Sequence, residues 1–341
     1  MRRNYFNALT LLFLCVVFGV SSASAQQTLY VDAIAGDDTY DGTSPTDQGG
    51  GIGPFQTIQF AMMMANDSDT LRVAAGTYDG YQLIDKELTI LGANAGVHAT
   101  SSRGAESILT PDKTALTFPS NSSNSLVQIT RSNVVLDGFL MDGDNPNVTS
   151  NNDVNGADVD YSNGIIVFGD FNNVQIRNNR IENFNKAGIE ALGNIVQPNA
   201  DCNFTDNSFF NFNESSTGII CGNGFYAQIV GNLFNVVSVG VSIYDFTNAG
   251  KRPITVDDNT FAVSDIGIVL TGINQNASNI YLEDNKIAPI AGNVGFQGIS
   301  LRNCSANSNL EVRKNYIVNF DQGVFMLEVD MPVKAFVNDT I

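Results

Sequence analysis

The sequence predicts an all-β, right-handed parallel β-helix, a solenoid of stacked rungs closed at its N-terminal end by a short capping helix. Three observations predict it. A repeat of roughly 26 residues recurs along most of the chain. Apolar residues alternate at period two inside each copy, and an asparagine returns at one fixed place in six successive copies.

The asparagine copies centre on Asn179, Asn207, Asn232, Asn259, Asn285 and Asn315, separated by 28, 25, 27, 26 and 30 residues. Each has an apolar residue five and three positions before the asparagine and another two positions after it. In the first copy these are Val174, Ile176 and Ile181; in the fifth they are Ile280, Leu282 and Ile287. An earlier copy, Val134 to Met141, carries Phe139 in the asparagine slot. Each copy is followed by a glycine that opens a second alternation, as in Gly188-Ile189-Glu190-Ala191 and Gly298-Ile299-Ser300-Leu301. Period-two alternation over so few residues makes these short strands with one buried face, and no helical period fits.

Stacked as coils, equivalent residues lie about 4.8 Å apart, the spacing of strands in a sheet. The inward positions then form columns of Ile, Val, Leu and Phe, a core that no single repeat buries alone. The asparagines read as a corner ladder, each bonding its neighbours and itself supplying the left-handed backbone of the corner. The same register places Cys202 and Cys221 in inward columns and leaves Cys304 in a turn, as a candidate reactive thiol. Asp257, Glu283 and Arg313 share one outward column, which reads as a solubilising charge ladder.

The ends differ from the middle. Arg2 and Arg3, the apolar run from Ala8 to Val20 and Ala23-Ser24-Ala25 form a signal peptide cleaved after Ala25. The organisation is therefore a signal peptide at 1–25, a strand, acidic loop and capping helix at 26–70, and rungs at 71–341. The mature protein is expected to be secreted or at the cell surface, without a membrane span. A net charge of −18 argues against nucleic acid as a partner. At the C-terminal end no cap is evident: the last strand-like segment, Val333 to Val337, almost reaches Ile341. That points to cover by a neighbouring molecule or to a longer parental chain.

The N-terminal segment carries a resemblance. Tyr30-Val31-Asp32, Gly36-Asp37-Asp38, Pro54-Phe55-Gln56-Thr57-Ile58-Gln59 and Gly76-Thr77-Tyr78 resemble the opening of secreted bacterial right-handed β-helix proteins of the pectin-lyase-like superfamily. The resemblance implies that the Phe55 stretch is the helix capping the first coil. Phe55, Ile58, Ala61, Met62 and Ala65 do fall on one helical face.

That superfamily hosts many activities. A polygalacturonase-like set of paired carboxylates with a Gly-His-Gly motif is missing, because the only histidine is His98. A methylesterase-like set is missing too, because there is no tryptophan. A lyase using Ca²⁺ and a basic residue tolerates diverse sequences. Its candidate bases here are Arg180 and Lys186, with Arg177, Lys286, Arg302, Arg313 and Lys314 also on outward positions. Two acidic loops are candidate calcium ligands: Asp37, Asp38 and Asp41 in the first, and Asp142 and Asp144 in the second. The second is the longest excursion from the coil and also carries Asp153, Asp158 and Asp160. The plainer reading of both loops, as solvated polar turns, is preferred. Two functions stay open: a carbohydrate-binding or structural and adhesive surface module, using tyrosines such as Tyr244, Tyr281 and Tyr316; or a calcium-assisted lyase of a uronate-containing polysaccharide.

Overall fold

The computed structural model describes residues 25–112, 125–150, 153–154, 156–193, 201–212, 215–246, 253–273, 279–304, 310–330 and 333–337. Residues 1–24 of the expected signal peptide lie outside the described residues. Among the described residues, no helix is long and apolar enough to cross a membrane.

Each repeat builds one coil with three sides. Strands such as Ile254–Asp257 form the first side, and they stack into an 11-stranded sheet running from Thr28–Val31 to Val333–Val337. The chain then turns at the asparagine. The following residues form the second side, and those after the glycine form the third. Leu233–Phe246 and Thr260–Ile273 run through the bend between these two sides as single strands, which joins both sides into one 16-stranded sheet. Pairing within both sheets is parallel.

The predicted inward columns are the core. Ile176, Phe204, Ile229, Val256, Leu282 and Val312 follow one another in register and are all fully buried. On the second side Phe209, Phe234 and Phe261 stack with centroids 4.8 and 4.6 Å apart and planes 3° and 4° from parallel. Rung spacing imposes that face-to-face geometry on them. The recurrent glycines belong to these rings. A Cβ on Gly188, Gly218 or Gly240 would stand 2.5, 2.4 or 2.3 Å from a ring carbon of Phe209, Phe234 or Phe261, each carried by the following coil. The glycine and the apolar residue after the asparagine are thus two halves of one contact.

The corner is a hydrogen-bonded ladder. The Oδ1 of Asn207 accepts from the backbone N–H of Asn179 at 3.0 Å and from its side-chain amide at 3.2 Å. Asn232, Asn259, Asn285 and Asn315 repeat this for the coil before each of them. Each amide also donates to a carbonyl of the preceding coil, as Asn259 does to Ile229 O at 2.9 Å. Phe139 fits because it needs only to donate: its N–H reaches Asn179 Oδ1 at 3.0 Å. One expectation is corrected. The left-handed residue is the one before each ladder asparagine, Asn178 (φ 56°), Asp206 (59°), Gly231 (69°), Asp258 (50°), Asp284 (52°) and Lys314 (58°), and likewise Gly138 (84°) before Phe139. The turn must be complete before the amide can reach along the stack.

The capping helix spans Ile58–Met64 and buries Ile58, Ala61 and Met62, with Phe55 and Ala65 buried beside them. Thr57 caps it by accepting from Phe60 N–H at 3.2 Å. Lys86 closes the other end, donating to the carbonyls of Met62, Met63 and Ala65 at 2.9, 2.9 and 2.5 Å. The apolar face lies over Ile84, Leu109 and Val127 of the first coils. At the far end the strand Phe320–Val329 is less covered: Met326 is 41% exposed, although its register partner Leu301 is fully buried.

The cysteine reading needs one correction. Cys202 and Cys221 are buried as expected, but Cys304 is buried too and closes the strand Gly295–Cys304. Its Sγ lies 3.3 Å from Arg302 O, and burial pushes the thiol up. A thiol so placed is inert, not a reactive turn residue.

The ladder makes a quantitative prediction. Asn259→Ala strips the acceptor from the buried Asn232 N–H and the side-chain donor from Ile229 O, while the Asn232 amide keeps Phe204 O and Val230 O. At about 1–3 kcal/mol for each orphaned buried group, urea unfolding should show a loss of about 3 kcal/mol. A loss below about 1 kcal/mol would mean that the ladder is decorative.

Candidate functional site

The predicted site residues do not share one place. In the first acidic loop the carboxylates bond the loop itself. Asp37 accepts from Thr39 N–H at 2.8 Å, and Asp41 accepts from Thr43 N–H at 2.9 Å and its hydroxyl at 2.8 Å. Asp38 accepts from Gln56 N–H, Thr57 N–H and the Thr57 hydroxyl at 2.8, 3.0 and 2.8 Å, which ties the loop to the start of the helix.

Both candidate bases are held by carboxylates. Arg180 pairs with Glu106 at 3.3 Å and donates to Ala99 O and Ser101 O at 2.8 and 3.1 Å, pinning the loop before Glu106 to the coil. The buried Arg103 completes that clamp, 2.8 Å from Glu106. Lys186 donates to both oxygens of Glu190 at 2.8 and 2.7 Å. The charge column is in register as predicted: Asp257 opposes Glu283, and Glu283 opposes Arg313. Asp257, Glu283 and Asp284 are the one group among the described residues whose carboxylate oxygens lie within 4.8 Å of one another. Cations already answer it: Arg313 sits 2.7 Å from Glu283 and Lys314 sits 3.5 Å from Asp284.

The second acidic loop is different. Asp142 ends the strand Leu140–Asp142, and in register on the next coil stands Glu182, with Phe210 one coil further. The loop returns to Asp142: Asp144 N–H donates to Asp142 Oδ1 at 3.0 Å and Asp160 N–H to Gly143 O at 2.8 Å. Burial, then repulsion from Asp142, pushes Glu182 up to about 7, with Arg180 opposing. Burial also lifts Asp160 to about 6, against a hydrogen bond from Asn145 and with repulsion from Asp144, Asp158 and Asp142. Asp142 is raised by burial, and Asp144 by burial and by its neighbours Asp142 and Asp158. The structure therefore gathers Asp142 and Asp144, both predicted, into a larger acidic shelf. It adds Glu182, which sequence reasoning passed over. The signal was present, because aligning the copy at Val134 with the copy at Val174 sets Glu182 opposite Asp142.

The three predicted tyrosines lie on three different sides. Tyr281 is on the first, between Thr255 and Glu311, and Tyr316 is on the second beside Lys286. Tyr244 is on the third, in an outward column with Gly222, Thr271, Arg302 and Leu327. Its ring lies along the surface against Gly222, where a Cβ would stand 2.5, 2.8 and 2.9 Å from three ring carbons. Arg302, two coils on, donates to Ser300 Oγ and Gln297 Oε1, both at 2.9 Å, and lies 5.7 Å over the Phe325 ring. Its partners are all neutral. Among the described residues Arg302 thus has no carboxylate partner, unlike Arg180 and Lys186.

Coil, ladder and capping helix define a parallel β-helix. More particularly, the chain belongs to the family DUF1565, proteins of unknown function, whose pattern matches residues 34–271. No curated protein matches it. Among solved structures it is similar to XylC in complex with xylose, at 9% identity and a TM-score of 0.53 over 92% of this chain and 70% of that one. It is also similar to pectate lyase Pel9A, at 14% identity and a TM-score of 0.52 over 93% of this chain and 79% of that one. Such identities establish the fold alone.

The shelf sets a pH dependence. Glu182 and Asp160 bind protons more tightly folded than unfolded, so their contribution to stability is full below the unfolded carboxylate range and is lost as pH rises through about 7 and about 6. The urea midpoint should therefore be higher at pH 5 than at pH 8, and Glu182→Gln should flatten that difference. A midpoint that rises from pH 5 to pH 8 in both proteins would contradict the shelf's electrostatics.

Proposed function

We propose that the protein is an extracytoplasmic carbohydrate-binding β-helix, exported through its N-terminal signal, that holds a polysaccharide against the third side of the coil. The observation that carries this reading is the Tyr244 ring laid against Gly222. A sugar ring presents a face of C–H groups, and the electron-rich face of an aromatic ring attracts them. A platform on a rigid sheet loses little entropy when it binds. Thr271 and Ser242 offer hydroxyls beside it, and Arg302 offers an unneutralised guanidinium two coils away. The ligand this suits stacks one sugar on Tyr244 and places an acidic substituent, such as a uronate carboxylate, at Arg302. The same fold carries a xylose complex in one relative and pectate cleavage in another, which agrees in ligand class.

Binding is preferred to cleavage because neither leading candidate base is free, and among the described residues no group of carboxylates within reach of one cation stands beside Arg302. Arg180 and Lys186 are each tied to a glutamate. The ultraviolet absorbance of an unsaturated product is accordingly expected to stay flat on pectate and alginate.

Calorimetry with xylo-oligosaccharides and oligogalacturonates tests the reading. Tyr244→Ala should weaken both by about tenfold, the equivalent of about 1.4 kcal/mol. Arg302→Gln should weaken only the acidic ligand, and that difference should shrink in high salt. Binding that ignores Tyr244→Ala would move the site elsewhere. No binding across a glycan panel would leave the structural or adhesive role.

A further inference from the structure

The outward face of the first side carries a trough that a glycan on the third side does not use. Tyr30, Arg72 and Leu91 stand in register on three successive strands and form its floor. Pro45 of the N-terminal loop supplies one part of its wall. Gly92 and Ala93, where the chain leaves the coil towards Arg103, supply another. The space is about 260 Å³, at the small end for ligand pockets, so it suits a single ring and not a polymer.

Both wall segments are braced. In the N-terminal loop Tyr30 N–H donates to Gly42 O at 2.9 Å, Thr43 N–H donates to Asp41 at 2.9 Å, and Ser44 Oγ donates to Thr46 O at 2.7 Å. Pro45 stands inside that set of bonds. In the other segment Gly92 N–H donates to Asp137 O at 2.8 Å, Ala93 N–H to Ser107 Oγ at 2.8 Å, and the Asn94 amide to Ala105 O at 3.0 Å. Walls fixed in advance spare a ligand the cost of ordering them.

The polar groups on the floor are idle. Arg72 is exposed, and among the described residues neither its guanidinium nor the Tyr30 hydroxyl has a hydrogen-bond or ion-pair partner. Few cations here are left so: 17 Lys and Arg face 35 Asp and Glu in the chain. Arg103, Arg177, Arg180, Lys186 and Arg313 are each claimed by a carboxylate. The acids nearest in sequence to the floor are turned to backbone. Asp32 accepts from Ile34 N–H and Ala35 N–H at 2.9 and 3.0 Å, and Asp69 accepts from Gln27 N–H and Asn66 N–H, both at 2.8 Å.

We infer that the trough binds a small carboxylate carried on a ring, with the carboxylate at Arg72 and the ring against Tyr30 and Pro45. A guanidinium meets a carboxylate through two parallel N–H···O bonds. Tyr30 adds an aromatic face and a hydroxyl, and Leu91 adds an apolar surface. The net charge of −18 opposes an anion only weakly, because charges more than about 8 Å away are screened at physiological ionic strength. Two kinds of compound carry this chemistry, a free uronic acid and an aromatic carboxylate. The trough is on the first side and Tyr244 and Arg302 are on the third, so it stands or falls apart from the glycan proposal.

The test is calorimetry and ligand-observed NMR on the mature protein, with galacturonate and para-hydroxybenzoate as probes and galactose and phenol as their neutral counterparts. At least one acid should bind, and its neutral counterpart should bind at least about tenfold more weakly. Arg72→Gln should cost about tenfold or more with the melting temperature unchanged, since Arg72 holds nothing else in place. Tyr30→Phe should cost about threefold, the loss of one hydrogen bond. Arg302→Gln should bind as the parent does. Preference for galacturonate assigns a sugar acid, and preference for para-hydroxybenzoate assigns an aromatic one. No binding of either acid at about 10 mM would overturn the site, because a millimolar Kd needs only about 4 kcal/mol. Binding that survives Arg72→Gln, or equal binding of acid and neutral counterpart, would overturn it as well.

Discussion

The structure depends on a buried amide at a corner. Each coil must turn sharply between its first and second sides, and the turn leaves a backbone N–H buried inside the stack, where water cannot reach it. The asparagine of the next coil accepts from that N–H, and its own amide donates to a carbonyl of the coil before. A coil is therefore not satisfied until its successor is in place. This couples neighbouring rungs more strongly than hydrophobic columns alone, because apolar contacts tolerate sliding whereas an orphaned buried donor does not.

Register set by the ladder propagates to the rest of the cross-section. With Asn207 and Asn232 in line, Phe209 and Phe234 must stack, and each needs the space above a glycine of the preceding coil. The repeat can vary in length only where chain leaves the coil, and the largest such excursion carries the acidic shelf. A rigid scaffold next to a long loop is a common setting for ligand sites, because the scaffold holds some ligands fixed while the loop supplies the rest.

Charge is distributed unevenly over this frame. Arg103 and Arg180 both serve Glu106, Lys186 serves Glu190, and Arg313 serves Glu283. Those pairs hold loops and strands. Among the described residues, Arg302 bonds neutral partners only, and the carboxylates around Asp160 carry negative charge close together.

The repeat in the sequence determined the fold, the ladder, the inward columns and the helix cap by itself, because those depend on interactions between equivalent positions and the period is written in the residues. The same alignment held the pairing of Asp142 with Glu182, which is visible once the copies are set side by side. What only the tertiary structure decided is what happens across copies and around the coil. The left-handed residue proved to be the one before the asparagine, and Cys304 proved to be strand core, since turn boundaries are set by backbone geometry. Tyr244, Tyr281 and Tyr316 separated onto three sides because a shift within the repeat changes the face presented. Arg180 and Lys186 were claimed by glutamates, while Arg302 kept its charge. Such pairings depend on side chains brought together through space, and no period in the sequence records them.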